Sequence, residues 1–128
     1  MGVRQTRRVK VFLVEDSPLL RTRLEAMIAA IPGANMVGFA EGADDAVRQI
    51  LATQPDVVVL DIYLKQGNGL DILRTVGKAA PQICFYVLTN YPMQGYRLSA
   101  ERLGARGFFD KSTEFEQLRA ALVGIVRP

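Results

Sequence analysis

Residues 56–61, Asp56-Val57-Val58-Val59-Leu60-Asp61, decide the fold. Four apolar residues, three of them β-branched, read as a short strand buried on both faces, the pattern of a parallel sheet covered by helices. A comparable run lies at 9–16, Val9-Lys10-Val11-Phe12-Leu13-Val14-Glu15-Asp16, and it too ends in acid. Ser17-Pro18 then supplies a helix N-cap and a first-turn proline. Leu20, Leu24, Met27, Ile28 and Ile31 recur at helical spacing until Pro32-Gly33 ends the run.

The rest of the chain alternates in the same way. A strand is predicted over 36–40 and a helix over 44–53, apolar at Val47, Ile50 and Leu51 and broken by Gln54-Pro55. After the turn Gly67-Asn68-Gly69 a helix runs over 70–76, and the fourth strand spans 83–88. A polar helix over 93–103 and a short strand over 107–109 follow, and Phe115, Leu118, Leu122 and Ile125 mark the buried stripe of a last helix. Five strands alternating with five helices predict an α/β fold, a doubly wound parallel sheet with right-handed crossovers. The common strand order is 2-1-3-4-5, and such sheets bind ligands at the carboxyl ends of the strands, where the order reverses between strands one and three. Glu15, Asp16 and Asp61 stand at that place.

Bulk properties narrow the function classes. The 128 residues match one domain, 1–128, with residues 1–8 read as a flexible basic tail. Apolar residues at 49% and charged residues at 23% are globular proportions. No apolar run approaches the ~20 residues needed to span a bilayer, and the strand at 9–14 is too short for a signal-peptide core. The expected compartment is cytoplasmic, with no membrane partner. The single cysteine, Cys84, excludes an internal disulfide and reads as a buried, inert thiol. The net charge of +3 is mild and is more than supplied by Arg4, Arg7, Arg8 and Lys10, either a solvated terminus or a nucleic-acid tail. DNA binding by the domain itself is not expected, because no reading helix and no aromatic interleaving accompany these charges. With no histidine in the chain, histidine general bases and metal ligands are excluded, and any phosphohistidine must belong to another protein.

Three convergent carboxylates either raise one another's pKa values or recruit a cation, and hard oxygen donors favour Mg²⁺. Taken alone, an acidic pair after a strand reads equally as a helix start favoured by the helix dipole. Thr89, ending the fourth strand, and Lys111, following the fifth, tip the reading toward a site. A hydroxyl and an ammonium on the same rim suit a phosphoryl group carried by one of the acids, each bond contributing about 1.5–3 kcal/mol.

This constellation resembles the receiver domains of two-component response regulators, over 9–126. The resemblance implies a flavodoxin-like receiver fold and assigns the acidic pair to Glu15 and Asp16 and the phosphoacceptor to Asp61. Residues 61–70, Asp61-Ile62-Tyr63-Leu64-Lys65-Gln66-Gly67-Asn68-Gly69-Leu70, look like the phosphorylation loop. The switch hydroxyl matches Thr89, the phosphate-binding lysine Lys111 and the rotating aromatic Phe108. The family's Mg²⁺ takes Glu15, Asp16, Asp61 and the backbone carbonyl of Tyr63 as ligands. The implied partners are a histidine kinase or histidine phosphotransfer protein as donor, and a downstream protein or a second copy as the output. Phosphorylation is expected to move Thr89, turn Phe108 inward and reshape the surface of the fourth helix, fifth strand and fifth helix. Tyr91, Tyr96 and Phe115 are either contacts on that surface or plain packing. Tyr63 and Tyr91, each two past a key residue, are placed to shape the route of hydrolytic water.

The departures from the family pattern are local. Lys65 stands where proline is common, Asn90 where a small residue is usual, and Ser112 where a cis proline often follows the lysine. A cis Lys111–Ser112 bond costs about 2.5–4 kcal/mol, so a trans loop with a differently aimed lysine is the alternative. The expectation is a signalling switch and not an enzyme. The first rival is a receiver-like binding scaffold that works without phosphorylation. An aspartate-nucleophile phosphatase would need a second aspartate where Tyr63 stands, and a flavodoxin would need a phosphate loop where Glu15 and Asp16 stand. No helix-turn-helix or catalytic domain follows the last helix, so DNA is expected only through an effector domain outside this chain.

Overall fold

The central strand runs are short because they are stacks of β-branched and large apolar residues that end in acid. The computed structural model describes residues 8–127. Residues 1–7 of the expected basic tail lie outside the described residues, and Arg8 is exposed. The elements alternate as β1 (Val9–Val14), α1 (Pro18–Ala29), β2 (Ala34–Ala40), α2 (Ala43–Thr53), β3 (Val57–Leu60), α3 (Gly69–Ala79), β4 (Cys84–Thr89), α4 (Gln94–Arg102), β5 (Gly107–Asp110) and α5 (Phe115–Val126). All strand pairs are parallel, in the order β2-β1-β3-β4-β5. The reversal of order lies between β1 and β3, as the sequence predicts.

Alternate residues of each strand feed opposite layers. Phe12, Val14, Val58, Leu60, Phe85 and Val87 face α2, α3 and α4. Val9, Val11, Leu13, Val57, Val59 and Leu88 face α1 and α5. Covering both faces is what permits a β3 with no polar residue inside it. The two edges are blunted differently. β5 has only four residues, and β2 carries a register irregularity opposite Val11 and Phe12.

Several boundaries move. β2 begins two residues before the expected 36, because Val9 donates to the Gly33 carbonyl and pairing with β1 starts at Ala34. α3 runs through Ala79 and not only to 76, since Val76 and Ala80 continue its buried face. The buried stripe of α5 is Leu118, Leu122 and Val126, with Phe115 and Ile125 only half-buried on its flanks. Leu51 of α2 is exposed, whereas Ala43, Ala46 and Ile50 form that helix's inner face. Cys84 is half-buried, and burial pushes its thiol pKa up, which keeps it protonated at neutral pH.

Candidate functional site

Parallel pairing brings the ends of β1 and β3 side by side. Val14 pairs with Leu60, and the Asp61 N–H donates to the Val14 carbonyl at 3.1 Å. Glu15 is fixed in turn by its N–H on the Ala40 carbonyl, 3.0 Å. Glu15, Asp16 and Asp61 thereby converge, with one carboxylate oxygen from each lying within 4.8 Å of the others. Glu15 is 2% exposed and Asp61 6%, while Asp16 is half-buried at the rim.

Burial on this scale needs a counter-charge. Lys111 supplies it: Nζ lies 2.7 Å from Asp61 Oδ2 and 2.9 Å from Glu15 Oε1. The lysine is brought there by the loop after β5, whose Lys111 N–H donates to the Thr89 carbonyl at 2.9 Å. No peptide bond in the described chain is cis, so the Lys111–Ser112 bond is trans and still delivers the ammonium to the acids. The loop is closed locally by Asp110, whose Oδ1 accepts from the Ser112 N–H and hydroxyl at 2.8 and 2.6 Å.

The electrostatics follow from these contacts. Burial pushes the Glu15 carboxyl above its ordinary value. The hydrogen bond and charge of Lys111 and the Ser17 N–H pull it back, and Asp61 adds to the rise. Burial alone would lower the Lys111 ammonium, but its bonds to Asp61 and Glu15 prevail, so it is raised and stays charged. Three carboxylates against one ammonium leave an excess of two negative charges when all are ionised. That excess, presented by hard oxygens, fits a divalent Mg²⁺ ion.

The loop of residues 62–68 is held on both sides. The Tyr63 N–H reaches Asp61 Oδ1 at 3.4 Å, and Tyr63 pairs with Asn68 across the loop. Gln66 caps α2, its carbonyl accepting from Ala43 N–H at 2.8 Å and its Oε1 from Asp44 N–H at 3.0 Å. Asn68 Oδ1 caps α3 through the Leu70 N–H, 2.7 Å. Gly69 is required here: a Cβ would stand 2.1 Å from the Asp61 carbonyl oxygen. Gly67 has φ of +87° and packs where a Cβ would strike that of Ala43.

Thr89 is fully buried at the end of β4, and its Oγ1 accepts from the Tyr91 N–H at 3.1 Å. Phe108, expected to turn inward on activation, is already 6% exposed. The Arg97 guanidinium lies 4.8 Å from its ring centroid and donates to its carbonyl at 3.4 Å, closing it in from α4. Asn90 is exposed. The sequence reading missed a tyrosine cluster, in which Tyr63 packs edge-on against Tyr91 and Tyr96 and its hydroxyl bonds that of Tyr96. That bond is the main cause of a raised Tyr63 phenol pKa. Residues 33 positions apart in the chain give no periodic signal of such contact.

The order of the strands, the acids at the switch point and the lysine between them match one family throughout. The sequence profile of the response regulator receiver domain matches residues 11–123. The chain belongs to the response-regulator receiver family. Among curated relatives, this receiver is 34% identical over 114 residues to the DNA-binding transcriptional activator DevR/DosR of Mycobacterium tuberculosis, covering 89% of this chain and 52% of the relative. It is 32% identical over 117 residues to protein-glutamate methylesterase/protein-glutamine glutaminase 1 of Carboxydothermus hydrogenoformans, covering 90% and 34%. The receiver thus spans about half the length of the first relative and a third of the second. Among solved structures it superposes on a LuxR-family two-component response regulator from Aurantimonas sp. with TM-score 0.86 and 28% identity, covering 93% of this chain and 85% of that one. It superposes on the response regulator domain of Thermotoga maritima CheB with TM-score 0.82 and 29% identity, covering 94% and 95%. Among the receiver's described residues, no helix is long and apolar enough to cross a membrane.

Proposed function

We propose that this receiver takes a phosphoryl group onto a carboxylate oxygen of Asp61 from the phosphohistidine of a histidine kinase or histidine phosphotransfer protein, and signals through the surface around α4, β5 and α5. The observation that carries the reading is the Lys111 ammonium, bonded at once to Asp61 and Glu15 inside a triad of acids. In the transfer, an Asp61 oxygen attacks phosphorus as the bond to the donor imidazole nitrogen breaks. The electron pair leaves with the imidazole, which takes a proton from solvent. Such transfers ask mainly for positioning and charge stabilisation. Lys111 holds the acceptor carboxylate in place and remains beside the incoming phosphoryl oxygens. Glu15, Asp16, Asp61 and the Tyr63 carbonyl would hold Mg²⁺, which when bound neutralises charge on the phosphoryl oxygens.

The product gains a charge of roughly −1.5 to −2 next to Thr89. A Thr89 hydroxyl drawn toward it gives up the Tyr91 N–H, and the segment leading into α4 is released. Phe108, already buried and lacking a hydroxyl, contributes packing to this change and not a new hydrogen bond. The altered face then binds a downstream protein or a second copy. The aimed lysine and the exposed Asn90 favour this reading over a scaffold that works without phosphorylation. Intact mass after incubation with acetyl phosphate tests it. An Mg²⁺-dependent gain of one phosphoryl group in the wild type, absent from Asp61→Ala, is expected. No gain from acetyl phosphate or from a phosphorylated histidine kinase would overturn the proposal and leave the scaffold.

A further inference from the structure

Three tyrosines from three segments meet beside the acids. Tyr63 follows β3, Tyr91 follows β4 and Tyr96 lies in the first turn of α4. The Tyr63 ring centroid is 4.6 Å from that of Tyr91 and 5.6 Å from that of Tyr96, both in edge-on geometry. Tyr63 and Tyr91 remain 42% and 54% exposed, so burial alone does not fix them. For Tyr63, the hydroxyl bond to Tyr96 does.

The transfer from donor to Asp61 proposed above uses no group of these three rings. What the proposed site uses of Tyr63 is backbone: its N–H reaches Asp61 Oδ1, and its carbonyl would hold the metal. A backbone group two residues past the acceptor is placed only as well as its loop is. Gln66 and Gly67 anchor the far end of that loop on α2. At the near end, the Tyr63 side chain reaches across to α4.

We propose that Tyr96 is a positioning residue for the acidic site, its hydroxyl holding the Tyr63 ring and, through it, the residue-63 backbone beside Asp61. The proposal rests on the phosphoacceptor reading for what the site binds. Its consequence is that the acid pocket and α4 are linked energetically, and linkage runs in both directions. Mg²⁺ bound to the acids of the unphosphorylated protein stiffens the start of α4, and a partner gripping α4 through Tyr96 alters the affinity of the acids for Mg²⁺.

The test is Mg²⁺ titration followed by backbone amide NMR on the wild type, Tyr96→Phe, Tyr63→Phe and the double variant. Phenylalanine keeps the edge-on ring contacts and removes only the hydroxyl. Each single variant is expected to weaken Mg²⁺ by about three- to tenfold, and the double by no more than either single, because one bond is lost in all three. In the metal-free protein, amide exchange over 62–66 is expected to quicken in Tyr96→Phe while α3 is unchanged. Wild-type affinity in Tyr96→Phe, or single effects that add in the double, would overturn the link. A wild type that binds no Mg²⁺ would instead remove the functional reading. The loop's exchange rate decides the positioning role independently: unchanged exchange in Tyr96→Phe overturns it, and faster exchange sustains it.

Discussion

Asp16 differs from the other two acids in being only half-buried and in having no short contact with Lys111, whose ammonium goes to Glu15 and Asp61. Its charge adds to the negative excess of the metal-free pocket and is relieved only by a cation. Asp16→Asn is therefore expected to stabilise the metal-free protein by about 1 kcal/mol and to raise its melting temperature by about 4 °C, while weakening Mg²⁺. Calorimetry and Mg²⁺ titration of one preparation check both halves. Gly69→Ala is expected to cost about 3 kcal/mol, because the added methyl must displace the Asp61 carbonyl. Urea unfolding measures that loss.

Asp110 gives a pH-dependent test away from the acids. The Ser112 hydroxyl and N–H hold its carboxyl below its ordinary 3.8. A carboxylate lowered in the fold contributes stability above the unfolded value, and that contribution fades as pH falls through the folded one. Ser112→Ala is expected to move the Asp110 carboxyl back up, read from its carbon resonance across an acid titration. An unchanged titration would refute the assignment.

At the level of elements, the sequence made the strand ends legible because acid and proline stop short apolar runs abruptly. Counting strands puts Glu15, Asp61, Thr89 and Lys111 at the same ends of the sheet; Lys111 meets Glu15 and Asp61 there, and its N–H bonds the Thr89 carbonyl. Helix phase was harder to read. In α5 a stripe drawn through Phe115 and Ile125 differs from the true one by a fraction of a turn, since aromatic and aliphatic residues flank both sides. In α2 the small Ala43 and Ala46 form the buried face, and Leu51, the more obvious apolar residue, is exposed. Leu118→Ala is thus expected to cost about 2–5 kcal/mol, and Leu51→Ala no more than about 0.5 kcal/mol, by chemical denaturation. Contacts between side chains of distant elements, such as Arg97 over Phe108 and Tyr63 against Tyr96, were beyond any reading of local pattern. They depend on where α4 sits, which sequence periodicity does not report.

For the whole molecule, a ligand that binds only the folded state adds stability in proportion to the logarithm of its concentration. Mg²⁺ at a hundred times its dissociation constant is expected to add about 2.7 kcal/mol to the wild type. Asp61→Asn, which removes one of the three clustered carboxylates, is expected to show a much smaller gain, and equal thermal shifts in the two proteins would exclude the acids as the Mg²⁺ site. The strand order has a further consequence for synthesis. β1 lies between β2 and β3, so a growing chain must extend to about Leu60 before β1 has both neighbours, and the acids assemble at that moment. Their counter-ion is encoded some fifty residues later, just beyond the last strand. A nascent or truncated chain that stops short of Lys111 therefore lacks the ammonium that the complete fold sets against Glu15 and Asp61. The loop that follows the last strand thus supplies the cation that the first strands' acids face, and completion of the fold is also completion of the site.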